Sequence, residues 1–195
     1  MKIKYNSPVI LSFVFFSAII LLLDATFFKG LIGAAFNAPG KDTFNASSPG
    51  NWLRLITHVF GHADLNHLVS NFLMLLIVGP MLETIYGSLS LSFMMLITAA
   101  VTGLANMIFF SGNLLGASGI VFMMILLASF TNFRKGEIPL TFILVLIFYI
   151  GNEFISSFKP DSVAHFAHII GGFCGSIFGF FRKLPVKVEL TASAS

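Results

Sequence analysis

The sequence predicts an all-α membrane protein, a bundle of six spanning helices in one domain. Two observations predict it. Hydrophobic residues make up 56% of the 195 positions and charged ones 10%, with a mean hydropathy of +0.93, which leaves too little polar surface to cover a water-soluble globule. The apolar residues also gather into runs of about 20, the length that crosses a hydrocarbon core.

The runs lie at Val9–Phe28, Leu68–Tyr86, Leu89–Phe110, Leu115–Thr131, Pro139–Phe158 and Ser162–Phe181. The first follows Lys2 and Lys4 as a signal peptide would, but it is long, carries Asp24 and lacks a cleavage site directly after it, so it reads as a span. The fourth is short and opens on Gly116, Ser118 and Gly119, which suits a helix sheltered by protein from lipid. Residues 1–8 then form a cytoplasmic N-terminus, 9–182 the six-span domain and 183–195 a polar tail. The long connection, about residues 29–66, mixes Leu31, Ile32, Phe36, Trp52 and Leu53 with Gly, Pro, Asn and Ser. That mixture places it in the interface plane, with Trp52 as an anchor.

Six spans put both termini on one side. With the termini in the cytoplasm, Lys2, Lys4, Arg134, Lys135, Arg182, Lys183 and Lys187 lie inside and Lys29, Lys41, Arg54 and Lys159 outside, and seven against four selects that orientation. The basic residues are scattered at segment ends, so the net charge of +3 serves topology and offers no face for nucleic acid. The single Cys174 sits in an apolar run and reads as a small core residue.

Polar residues inside a membrane are costly and need a reason. Here His67 and Asn71, Ser118, and His165 and His168 fall near the outer ends of three different spans, within about 10 Å of the surface at 1.5 Å per helical residue. A serine between glycines near a helix start has an unobstructed hydroxyl, and the free amides there can stabilise an oxyanion. Taken alone, Gly116-Ala117-Ser118-Gly119 reads first as small-residue helix packing. The sixth span shifts the balance. Gly171, Gly175 and Gly179 repeat every four residues, so they make a smooth stripe on which another helix can press, with His168 three residues before it on the same face. If the fourth span fills that stripe, His168 meets Ser118 as a general base must. A structural histidine is the alternative. His67 and Asn71, spaced i, i+4, could both donate to a negative oxygen, or could instead hold helices together.

His58 and His62, with His67, raise a metal site as a rival; no His-Glu-x-x-His occurs, and Asp64 and Glu153 are the carboxylates that could complete it. Fixing the long loop suits His58 and His62 better. Glu83 and Gly87 sit at the inner end of the second span, in a capping or packing role, while Asp24 and Glu153 lie nearer outer ends, within reach of water or a helix terminus.

From about Trp52 to Gly179 these residues resemble the rhomboid family of intramembrane serine proteases. The likeness rests on His62 with His67-Leu-Val-Ser-Asn71, Glu83-Thr-Ile-Tyr-Gly87-Ser88, Gly116-Ala-Ser118-Gly119, and Ala167-His168-Ile-Ile-Gly171 with Gly175, in that order. It implies a rhomboid-like bundle in its minimal six-span form, in a cell membrane of bacterial inner or plasma-membrane type. It further implies a Ser118–His168 dyad, oxyanion stabilisation by His67 and Asn71, transmembrane protein substrates, lateral entry past the fifth span near Tyr149, Asn152 and Glu153, and no metal, nucleotide or other cofactor. Leu53 separates Trp52 from Arg54 where the family often has Trp-Arg adjacent. Phe122 replaces a tyrosine that many members carry beneath the histidine, and His165 is an additional histidine above His168. The rival readings are a catalytically inactive rhomboid-like protein that binds membrane clients, and a small transporter, whose repeated halves and mid-bilayer polar groups are missing here.

Overall fold

Apolar runs bounded by Pro, Asp and Gly become helices in the computed structural model, which describes residues 3–130, 140–145, 147 and 162–181. In chain order these are α1 (Pro8–Thr26), α2 (Leu31–Ala35), α3 (Pro49–Thr57) with a 3₁₀ turn at His58–Phe60, α4 (Leu65–Tyr86), α5 (Ser88–Phe109), α6 (Ser118–Phe130), α7 (Leu140–Val145) and α8 (Ser162–Phe181). Among the described residues there is no β-strand, only an isolated bridge between Ala38 and Leu114. Helices α1, α4 and α5 are each long and apolar enough to cross a membrane. Most of the fifth predicted run, including Tyr149, Asn152 and Glu153, lies outside the described residues, as does the 183–195 tail.

Helix α6 is described over Ser118–Phe130. It is the centre of the molecule: Ile120, Met123, Met124, Leu126 and Leu127 are almost completely buried. Helices α4, α5 and α8 surround it.

The glycine stripe of α8 is filled by α6. A Cβ on Gly171 would fall 2.0 Å from the carbonyl oxygen of Gly119, and one on Gly175 2.2 Å from that of Met123. Backbone therefore touches backbone along this seam, as the four-residue glycine repeat predicts. Helix α3 meets α5 in the same way, with the Leu55 carbonyl oxygen 2.0 Å from where a Cβ on Gly103 would stand.

At the opposite end Glu83, 5% exposed, reaches from α4 to the first turn of α1. Its carboxylate accepts from Val9 N at 3.0 Å and Ile10 N at 3.2 Å, and from Ser88 Oγ at 2.7 Å. A helix start leaves amides without partners and carries partial positive charge, so a carboxylate there serves as both cap and counter-charge. The capping role expected of Glu83 is thus real, though the helix it caps is α1. Asp24 likewise accepts from Ile32 N at 2.8 Å, in the first turn of α2.

Candidate active site

The upper part of the bundle is tied together by the long loop. Thr57 Oγ1 donates to Ala35 O at 2.7 Å, and Asn106 Nδ2 of α5 donates to Gly112 O at 3.1 Å and Pro39 O at 3.4 Å. His58, 2% exposed, sits against α5 with Nε2 3.2 Å from Ala99 O. That carbonyl can only accept, so Nε2 carries the proton. The His58 backbone carbonyl in turn accepts from Gly116 N at 3.0 Å. One buried histidine therefore connects the 3₁₀ turn, α5 and the segment before Ser118, the loop-fixing task expected of it. Burial pushes its pKa down to about 4, against a smaller upward pull from the Ala99 carbonyl.

Asp64 caps α4, accepting from His67 N at 2.8 Å, so α4 starts at Leu65, three residues before the predicted boundary. His62 is fully buried just outside that start, edge-on to His67 with ring centroids 5.1 Å apart. Burial, and second the neighbouring His67, lower its pKa to about 4; the Phe60 carbonyl pulls the other way without completing a hydrogen bond. The His67 ring lies against Gly116: a Cβ there would be 2.7 Å from both Cε1 and Nε2. Gly116 also has φ of +110°, so both space and backbone conformation call for glycine. Asn71, 5% exposed, stands one turn along α4 and spends one amide proton on His67 O at 3.0 Å. A carboxamide has two, leaving one available.

Ser118 is the first residue of α6 and partly exposed. The sequence placed it about a turn into a run beginning at Leu115. Instead the preceding segment is extended, with Leu114 bridging Ala38 in both directions at 2.9 Å, and the helix begins at the serine itself. Its hydroxyl thus stands among the helix's unpartnered first-turn amides. Four residues on, on the same face, the Phe122 ring lies parallel to the imidazole of His168, 4.4 Å between centroids and 5° between planes. The Ala167 carbonyl oxygen is 3.4 Å from the Cβ position of Gly119, so the top of α8 is pressed onto the start of α6. His165 is edge-on to His168 at 6.1 Å.

The structure therefore brings His67 and Asn71 of α4, Ser118 of α6 and His168 of α8 to one end of the bundle around Gly116 and Gly119. His58 lies in the loop anchor against α5, and His62 lies against the His67 ring. Asp64, a carboxylate that the metal reading needs, is engaged in capping. Sequence reasoning passed over Asn106, although an amide within an apolar helix is itself a signal.

Comparison with known proteins identifies the family. The chain matches the family model described as "Rhomboid domain" over residues 49–184. It is 28% identical over 140 residues to a protein of Haemophilus influenzae named Rhomboid protease GlpG, covering 70% of this chain and 73% of that one. It is 32% identical over 155 residues to Rhomboid-related protein 1 of Caenorhabditis elegans, covering 73% of this chain but 43% of the relative. Rhomboid protease GluP of Bacillus subtilis is 31% identical over 131 residues, covering 64% of this chain and 25% of the relative.

Proposed function

Since the chain belongs to the rhomboid family of membrane proteins, we propose that it is an active intramembrane serine endopeptidase that cleaves transmembrane protein substrates with a Ser118–His168 dyad. The observation that carries this reading is the α6–α8 seam: Gly119 pressed on Gly171, with His168 stacked over Phe122 one turn from Ser118. The protease names of two relatives support the same reaction class.

In this mechanism the flat Phe122 face fixes the plane of the imidazole, and His168 takes the proton of Ser118 Oγ as that oxygen attacks the peptide carbonyl carbon. Negative charge moves to the carbonyl oxygen. His67, the second amide proton of Asn71 and the Ser118 backbone N–H receive it, helped by the positive end of the α6 dipole. His168 then protonates the leaving amine, and water, deprotonated by the same imidazole, hydrolyses the ester. The six-span topology, a bacterial-type plasma membrane and cytoplasmic termini belong to the same proposal; substrate segments would then be cut near the outer face.

A fluorophosphonate probe tests the nucleophile directly. Wild type should be labelled on the peptide containing Ser118, with labelling lost in Ser118→Ala and slowed by at least about 100-fold in His168→Ala, the scale of general-base assistance. Full-rate labelling of His168→Ala would remove the dyad. A folded wild type that takes no probe and cleaves no substrate would leave the client-binding reading in its place.

A further inference from the structure

The α1–α5 face, away from the seam, holds a crevice of about 680 Å³, lined at one end by Pro8, Val9 and Ser88 and at the other by Val59, Phe60 and Ile120. Its two ends differ. The first is the Glu83 end, where α1 and α5 both begin, and the exposed Lys4 stands just before α1. The second is closed by the loop's 3₁₀ turn, with Phe60 wedged against Phe13 and Phe16 at 4.7 and 5.0 Å. From Ser88 to Ala99 along α5 is about 16 Å at 1.5 Å per residue, close to the roughly 15 Å of one leaflet's hydrocarbon.

We infer that this crevice is a phospholipid site, holding one acyl chain from the leaflet on the side of the chain termini. Length and lining favour hydrocarbon: the crevice matches the depth of one leaflet, and its lining is apolar apart from Ser12, Ser88 and Ser92. The hydroxyls near the mouth are already engaged, Ser88 with Glu83, Ser92 with the Ser88 carbonyl and Ser12 with Tyr5, so the walls ask for no polar ligand. Lys4 places a positive charge at the level of the headgroup phosphate. The deep end is floored by Ile120 of α6, so an acyl chain here would press on the same helix that begins with Ser118.

Native mass spectrometry of protein recovered in detergent from vesicles of equal parts phosphatidylethanolamine and phosphatidylglycerol reads this site without reference to proteolysis. Wild type should retain one phospholipid. Ser92→Phe, which puts a ring into the crevice, should lower the lipid-bound fraction about tenfold through lost packing contacts, and Leu96→Trp, at the rim, gives a second variant should the first fold poorly. Ile77→Trp, on the exposed face of α4, should bind as wild type does. Absence of retained lipid in wild type, equal retention in every folded variant, or a two-chain species that Ser92→Phe dissolves would each overturn the proposal.

Discussion

Between α6 and α8 the backbones touch; between α1 and α5 they stand apart around a crevice. Both faces are built from apolar helices, and the difference comes from residue size. Glycine at 171 and 175 lets carbonyl oxygens approach to where a Cβ would clash, while the larger Phe13, Phe16, Met95 and Leu96 line the crevice between α1 and α5. In a bilayer no hydrophobic driving force separates helix–helix from helix–lipid contact, so close packing through small residues selects which faces stay together. Tight contact falls where the proposed Ser118–His168 pair lies, and looser contact at the crevice proposed to hold lipid.

The largest test of that contrast is Gly171→Ala. Its methyl would meet the Gly119 carbonyl oxygen at 2.0 Å, so the helices must part by about 1 Å. Cleavage should drop about 100-fold, the scale of such a misplacement, with about 1–3 kcal/mol of stability lost to overpacking. Thermal unfolding and single-turnover cleavage measure the two separately.

Acid comes next, acting on the loop between the two faces. His58 and His62 have pKa values near 4 in the fold against an ordinary 6.5. Between those values the unfolded chain binds protons that the folded one refuses, so the stabilisation is complete above about pH 6.5 and is lost as pH falls toward 4. At pH 5 the cost is about 2 kcal/mol per histidine. The detergent melting temperature should therefore fall from pH 7 to pH 5, and His62→Phe should flatten part of that slope.

Glu83→Gln, at the foot of α1, should cost about 2 kcal/mol of stability by removing charge from a buried three-partner cap, while cleavage per folded molecule stays near wild type. Smallest is Leu96→Ala in the crevice wall, half exposed, with a stability change within about 0.5 kcal/mol. A loss there as large as that at Gly171 would erase the distinction between the faces.

Helices α1, α4, α5 and α8 and the α6–α8 pairing were legible because each rests on a short-range pattern: apolar run length, and glycines at four-residue spacing. Phe122 could be placed beneath His168 by resemblance, and it stacks there. The start of α6 was misplaced because Leu115 and Ala117 continue the apolar run, while what stops the helix is long-range: the Ala38 bridge and the His58 carbonyl that takes the Gly116 amide. Likewise Glu83 announced a cap, but the partner 74 residues away leaves no trace in local sequence. Asn106 was readable as a polar group in an apolar helix, and its purpose became clear only with the loop carbonyls folded around it.

If the seam aligns His168 with Ser118 for proteolysis, cleavage needs both residues and no metal. Cleavage of a labelled model transmembrane substrate in liposomes, by wild type, Ser118→Ala, His168→Ala and His165→Ala with and without chelator, tests it most directly. Chelator-resistant cleavage should disappear in the first two variants and survive in His165→Ala. Cleavage that persists in Ser118→Ala would contradict that alignment.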